Sequence, residues 1–322
     1  NSLMFQRFPD HNGYDDPQFS SFYGQTLPLL KRGIPVELVH MENTPFKDTF
    51  NGLQVLVMSY SNMKPMKSEY HNYLADWVKK GGTLVYCGED VDPYQTVLEW
   101  WNTAGNAYKA PSEHLFEAMG LSRNPGDGTY RFGKGTVIVM REDPKHFVLK
   151  GGNDRKYFET IVSAYESKTG KKIEIKNNFM VERGPYTIAA VMDESSSKEP
   201  WKLSGLYIDL FDKDLPVLTV KQINPGEQGY LYDLNKVLGK VKAKVLCGAS
   251  RIYDEKVGKQ SYSFVAKSPL HTTNVSRVLL PRKPGKVLVN GKAEQPEWDE
   301  SSKTLLLSFE NDPAGVNVSI EW

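Results

Sequence analysis

The sequence predicts an α/β layer domain followed by an all-β region, and three observations carry that expectation. Up to about residue 172, short continuous apolar runs alternate with segments of helical spacing. Beyond that point the helical period vanishes, and short strand-like runs follow one another, separated by Gly, Pro and Asp. The length of 322 residues suits about two domains. The boundaries so read are 1–172 for the α/β domain and 173–322 for the β region. The β region is either one β-sandwich or two small modules meeting near 240–255.

In the first half, Phe5 marks a candidate first strand. Residues 16–32 place Phe19, Phe22, Tyr23, Leu29 and Leu30 near helical spacing, with Gly33 as the stop. Residues 35–41 are strand-like. Residues 53–59 (LQVLVMS) form a continuous apolar run of the kind buried on both faces of a parallel sheet. Tyr70, Tyr73, Leu74, Trp77 and Val78 follow i, i+3, i+4, i+7, i+8, and this helix meets Gly81-Gly82. Residues 83–87 (TLVYC) read as a second buried strand. Asp92-Pro93-Tyr94-Gln95 has the cap, the proline and the glutamine of a helix start, with Tyr94, Val97, Leu98 and Trp101 as its apolar face. Ser112 opens a short helix through Phe116 and Met119. Residues 135–140 (GTVIVM) are a late strand, and 154–169 form a helix closed by Gly170. Strands alternating with helices imply a largely parallel sheet.

In the second half, strands are expected at 173–181, 186–192, 205–211, 217–223, 243–253, 260–266, 276–280, 286–289, 304–309 and 315–322. Asn290-Gly291 is a two-residue hairpin signal. Val316, Val318, Ile320 and Trp322 alternate as in a half-buried strand.

Charge is balanced, 40 Lys+Arg against 39 Asp+Glu, which argues against nucleic acid or an acidic membrane as partner. No stretch approaches the roughly 18 apolar residues of a membrane span. Two cysteines, Cys87 and Cys247, make no disulfide framework, and nothing has zinc-site spacing. Residues 1–10 lack a basic segment followed by an apolar one, so no signal peptide is expected. The chain starts without Met and reads as a mature protein or a cut piece of a larger one.

Open α/β sheets bind ligands beyond the carboxyl ends of their strands. Three loops qualify, 10–16, 59–63 and 88–92. They offer Asp10, His11, Tyr60, Asn62, Glu89 and Asp90 as a candidate cleft for a sugar or a cation. The competing reading makes these residues solvent-facing loop polars and helix caps, and Asp92 is better explained as a cap. Cys87 sits at a strand end, where a nucleophile can be presented, but neither His114 nor His146 stands in a recognisable pair with an acid. A buried cysteine acting as a small hydrophobe is the commoner outcome. Trp100 is a candidate contact for a sugar or another domain. Asp209, Asp212 and Asp214 are candidate calcium ligands, or simply turn-stabilising carboxylates. No other cofactor is expected, since no glycine-rich phosphate loop is present. No acid pair of a glycosidase can be selected.

Gln25-Thr26-Leu27-Pro28-Leu29-Leu30 with Gly33-Ile34-Pro35-Val36, then 53–60, then Leu74-Ala75-Asp76-Trp77-Val78 ahead of Gly81-Gly82-Thr83-Leu84-Val85, resemble β-galactosidases of glycoside hydrolase family 42. The likeness covers about 2–172 and is to the domain after the catalytic barrel. It implies a flavodoxin-like three-layer fold, related to class I glutamine amidotransferases and known as a trimerisation domain. The amidotransferase motif departs here: Cys87 lacks the preceding Gly, and no His-x-Glu follows. Residues 183–194, 205–217 and 287–322 resemble the C-terminal β-sandwich of large bacterial polysaccharide-degrading enzymes. Together these likenesses imply a non-catalytic accessory region of a glycoside hydrolase, periplasmic or extracellular. Its partners would be the catalytic barrel of the parent chain, further copies of itself, and carbohydrate. A carbohydrate-binding module is the alternative, and a stand-alone cysteine enzyme a remoter one.

Overall fold

The computed structural model describes residues 20–61, 63–149 and 153–322. The chain divides into two compact units, Asn1–Lys176 and Asn177–Trp322. Several sheets dominate, and no helix among the described residues is long and apolar enough to cross a membrane.

In the first unit α1 (Ser20–Leu30) leads to β1 (Val55–Met58), α2 (Glu69–Lys79) and β2 (Thr83–Cys87). Next come α3 (Pro111–Ala118), the hairpin β3 (Gly128–Phe132) and β4 (Gly135–Met140), α4 (His146–Leu149) and α5 (Arg155–Thr169). The sheet order is β1-β2-β4-β3, with β1, β2 and β4 parallel and β3 antiparallel. All five residues of β2 are buried, as a continuous apolar run requires of a central strand. One face of the sheet packs Leu84, Tyr86 and Val139 against Leu74 and Val78 of α2 and Phe116 of α3. The other packs Val85, Cys87 and Met140 against Leu29 of α1 and Tyr157 and Ile161 of α5. Gly135 is needed where β4 passes the end of α2: a Cβ there would lie 1.9 Å from the Val78 carbonyl oxygen.

Two expectations fail here. Residues 34–40 form no strand; Ile34 and Val36 pack against the α5-side core, and Pro35 has no N–H to give a ladder. Residues 92–101 form only a 3₁₀ turn at Pro93–Thr96, not a helix. Side chains take the carbonyls a helix would use: the Trp101 indole N–H donates to Gln95 O, and the Asn102 amide to Val97 O. Trp101 still reaches the core, while Val97 and Leu98 are left exposed. Phe5 lies outside the described residues.

The second unit opens with an antiparallel sheet of β5 (Asn178–Arg183), β6 (Tyr186–Val191), β7 (Trp201–Asp209), β8 (Val217–Ile223) and β9 (Gln228–Asp233), ordered β5-β6-β9-β7-β8. Nine more strands make two facing sheets. One contains β10 (Lys244–Gly248), β13 (Thr273–Leu279), β16 (Glu297–Asp299) and β17 (Thr304–Glu310), in the order β10-β13-β17-β16. The other contains β11 (Arg251–Val257), β12 (Ser261–Lys267), β14 (Lys286–Val289), β15 (Lys292–Ala293) and β18 (Val316–Glu321), in the order β11-β12-β18-β14-β15. Tyr262, Phe264 and Ala266 alternate inward with Val316, Val318 and Ile320, and meet Val278, Leu305 and Leu307 from the other sheet. The expected single strand 243–253 is split. It bends at Ala249-Ser250, so that β10 and β11 lie in opposite sheets, β10 burying Val245 and Leu246 while β11 stays largely exposed at a sheet edge. Asn290 and Gly291 both have positive φ, 49° and 79°, as the β14–β15 hairpin demands.

A further core, with Ile208, Leu234, Leu246 and Leu279, joins the five-stranded sheet to the sandwich. At its edge Arg277 is buried, its Nε donating to Leu215 O at 2.8 Å.

Candidate functional site

The carboxyl ends of β1, β2 and β4 bring Tyr60, Asp90 and Arg141 together. Asp90 has left-handed backbone, φ 59°, a conformation Asp tolerates better than most residues. Three side chains fix it there: the hydroxyls of Tyr86 and Ser112 donate to it, the latter at 2.7 Å, and Arg141 Nη1 pairs with Oδ2 at 2.7 Å. Arg141 also lies over the Phe116 ring, 5.1 Å from its centroid.

Beside this cluster a buried polar chain runs through the α2–α3 layer. Tyr60 Oη and His71 Nε2 are 2.6 Å apart, and His71 Nδ1 and His114 Nδ1 are 2.8 Å apart. A neutral His71 completes this chain with either ring nitrogen protonated. Burial, helped by the charge of His114, pushes the His71 pKa down to about 3. Burial also raises the Tyr60 and Tyr86 phenols well above their usual range, with Asp90 adding to it. Trp100 packs edge-on to both histidines and donates its indole N–H to Pro65 O at 2.8 Å.

The chemistry this permits is narrow. The phenols keep their protons and His71 is neutral at pH 7. Cys87 is fully buried on the α5 side of the sheet, and burial pushes its thiol well up, so no thiolate forms there. Glu89 is exposed. Asp92 caps the 3₁₀ turn and pairs with Lys64 at 2.9 Å. Asp10, His11 and Asn62 lie outside the described residues. Sequence reasoning missed His71 and Arg141. The first was visible as part of the inward face His71, Leu74, Ala75, Val78, and the second as the residue directly after β4.

The two loops that leave β1 and β2 are pinned together by the Lys64–Asp92 pair and the Trp100–Pro65 hydrogen bond. They expose Met63, Met66, Val91, Tyr94, Val97 and Leu98, with Val91 76% and Leu98 82% exposed.

The calcium candidates are engaged separately. Asp209 is buried, pairs with Lys221 at 2.5 Å and accepts the Phe211 N–H; Asp212 accepts the Asp214 N–H; Asp214 pairs with Lys213 at 2.9 Å. Among the described residues no group of three His, Cys, Asp or Glu side chains assembles as a metal site.

No protein-family model matches the chain, and no curated protein matches it in sequence. Among solved structures, it is similar to a family 42 β-galactosidase from G. stearothermophilus in its catalytic-mutant form, with 13% identity, 70% of this chain and 38% of that chain covered, and a TM-score of 0.37. A β-galactosidase from Bacillus circulans sp. alkalophilus gives 11% identity, 71% and 39% coverage, and a TM-score of 0.38. A family 31 dextranase from Flavobacterium johnsoniae gives 9% identity, 80% and 38% coverage, and a TM-score of 0.26. These neighbours are glycoside hydrolases, and the chain spans less than two fifths of the length of each.

Proposed function

We propose that this chain is a non-catalytic accessory region of a bacterial carbohydrate-active enzyme, periplasmic or extracellular. In this reading a flavodoxin-like, amidotransferase-like domain and the β region behind it brace a catalytic barrel elsewhere in the parent protein. The carrying observation is the state of the strand-end loops. Most of their buried polar groups are matched to one another, although Arg141 Nη2 and Gln95 Oε1 have no hydrogen-bond partner, and Met66, Val91 and Leu98 face outward beside the exposed Glu89. An apolar rim over a largely paired polar interior suits a protein contact, and the occupant this reading assigns to it is the catalytic barrel. The residue patterns that resemble family 42 β-galactosidases support the choice of enzyme class.

The test is turnover of an aryl-glycoside panel by the purified chain. No hydrolysis is expected. Hydrolysis that disappears in Asp90→Asn or Glu89→Gln would overturn the proposal by giving the strand-end carboxylates a catalytic role.

A further inference from the structure

The second unit holds a groove of about 830 Å³. Its size falls within the range of about 300–1,000 Å³ usual for ligand sites. One wall is aromatic. Tyr230 of β9 stacks on Tyr186 of β6, with ring centroids 5.6 Å apart and planes at 29°. Phe211 stands against Tyr230 at 5.9 Å and 57°, so the two rings form an open corner. Thr273 and Ser308 line the sandwich side, and Asp212, Lys213 and Asp214 line the loop side.

Phe211 is 62% exposed, which forgoes about 1–2 kcal/mol of burial. A rigid loop holds it there. At one end its N–H donates to Asp209, itself buried and paired with Lys221. At the other, Leu215 takes positive φ, 47°, and its carbonyl accepts from the buried Arg277. The aromatic corner is therefore preorganised, the condition under which a stacking ligand binds without an ordering cost.

Given the reading above as part of a carbohydrate-active enzyme, we infer that this groove binds a neutral oligosaccharide, with Phe211 and Tyr230 as its stacking faces. A sugar ring has apolar C–H faces that suit these rings and a hydroxyl rim that suits carboxylate, hydroxyl and ammonium groups. Lys213 is paired with Asp214, so the loop side carries about one net negative charge and disfavours an anionic glycan. The competing occupant is an apolar protein segment. Val181 and Ile188, both exposed, continue the Tyr230 face across β5 and β6 by register. Three consecutive charges beside Phe211 tell against it, because charged residues are depleted from the cores of protein interfaces.

Calorimetry of the whole chain decides the matter, with four neutral tetrasaccharides as probes: β-1,4-linked glucose, mannose and galactose, and α-1,6-linked glucose. Saturable binding of at least one is expected. Phe211→Ala should weaken it about tenfold, and Phe211→Tyr should keep it. Phe211 is exposed, so neither variant threatens folding. Absence of saturable heat with all four probes overturns the inference. So does binding that Phe211→Ala leaves unchanged, or self-association abolished by Phe211→Ala without sugar binding. The accessory reading stands or falls separately: a chain that binds a probe and hydrolyses it keeps the groove and loses that reading, and one that does neither loses only the groove.

Discussion

At the strand ends of the first unit, polar side chains answer one another. Asp90 receives Tyr86, Ser112 and Arg141, Asp92 receives Lys64, and Tyr60 meets His71. In the groove of the second unit, aromatic faces and charged groups stand beside solvent, and Asp209, buried and paired with the part-exposed Lys221, accepts the Phe211 N–H. The first arrangement pairs most of its buried groups, with Arg141 Nη2 and Gln95 Oε1 the unpartnered atoms. The second uses its pairing to hold a loop whose own surface stays open. A fold's usual ligand position is thus only a starting point, and the distribution of matched and open groups decides between regions.

The largest effect that separates them is expected at Asp90. Asp90→Ala leaves the largely buried Arg141 guanidinium without its counter-ion and should lower unfolding free energy by about 3–5 kcal/mol in urea titration. A loss below 1 kcal/mol would mean that the cluster is not the closed unit described here. Next comes Arg277→Met, which leaves the Leu215 carbonyl unmatched at about 1–3 kcal/mol and loosens the 210–215 loop. Faster amide exchange at Phe211 is the accompanying sign that groove preorganisation depends on this clamp.

Acid titration should expose the closed character of the first unit. The folded pKa of His71 lies near 3, below its unfolded value of about 6.5, so the unfolded chain binds more protons between these limits. Its stabilising contribution is complete above about pH 6.5 and falls as pH drops toward 3. Between pH 7 and pH 5 the loss should be on the order of 1–2 kcal/mol. His114, whose pKa burial also lowers, acts in the same direction. His71→Gln should flatten the slope; an unchanged slope would assign the acid sensitivity to other groups. The smallest effect is expected at Leu98→Asp. This exposed side chain should change stability by less than about 0.5 kcal/mol while weakening association with the catalytic barrel proposed as the partner of this face. A cooperative loss of fold would show that Leu98 packs inside the chain instead.

Much of the architecture was legible because its signals are local. The TLVYC run is β2, residues 217–223 are β8, and Gly170 ends α5 with φ 68°. Five elements escaped, among them the four-residue α4. The strands β3 and β9 lack a strong apolar alternation, and β15 and β16 are only two and three residues long. The helix expected after Asp92 had the right pattern, but Trp101 and Asn102 captured its carbonyls. Of the candidate cleft, Tyr60 and Asp90 do meet near the strand ends, yet Tyr60 is buried and Asp90 is paired.

Sequence alone determined the order of helical and extended segments, the buried central strand and the turn at Asn290-Gly291, because periodicity and backbone preference act over a few residues. Tertiary structure decided which charges are cancelled and which rings remain open. Arg141 reaches Asp90 from 51 residues away, and Arg277 reaches Leu215 from 62. Such meetings depend on packing, since the energy of a polar group is set by the partners and the solvent that the folded chain leaves it.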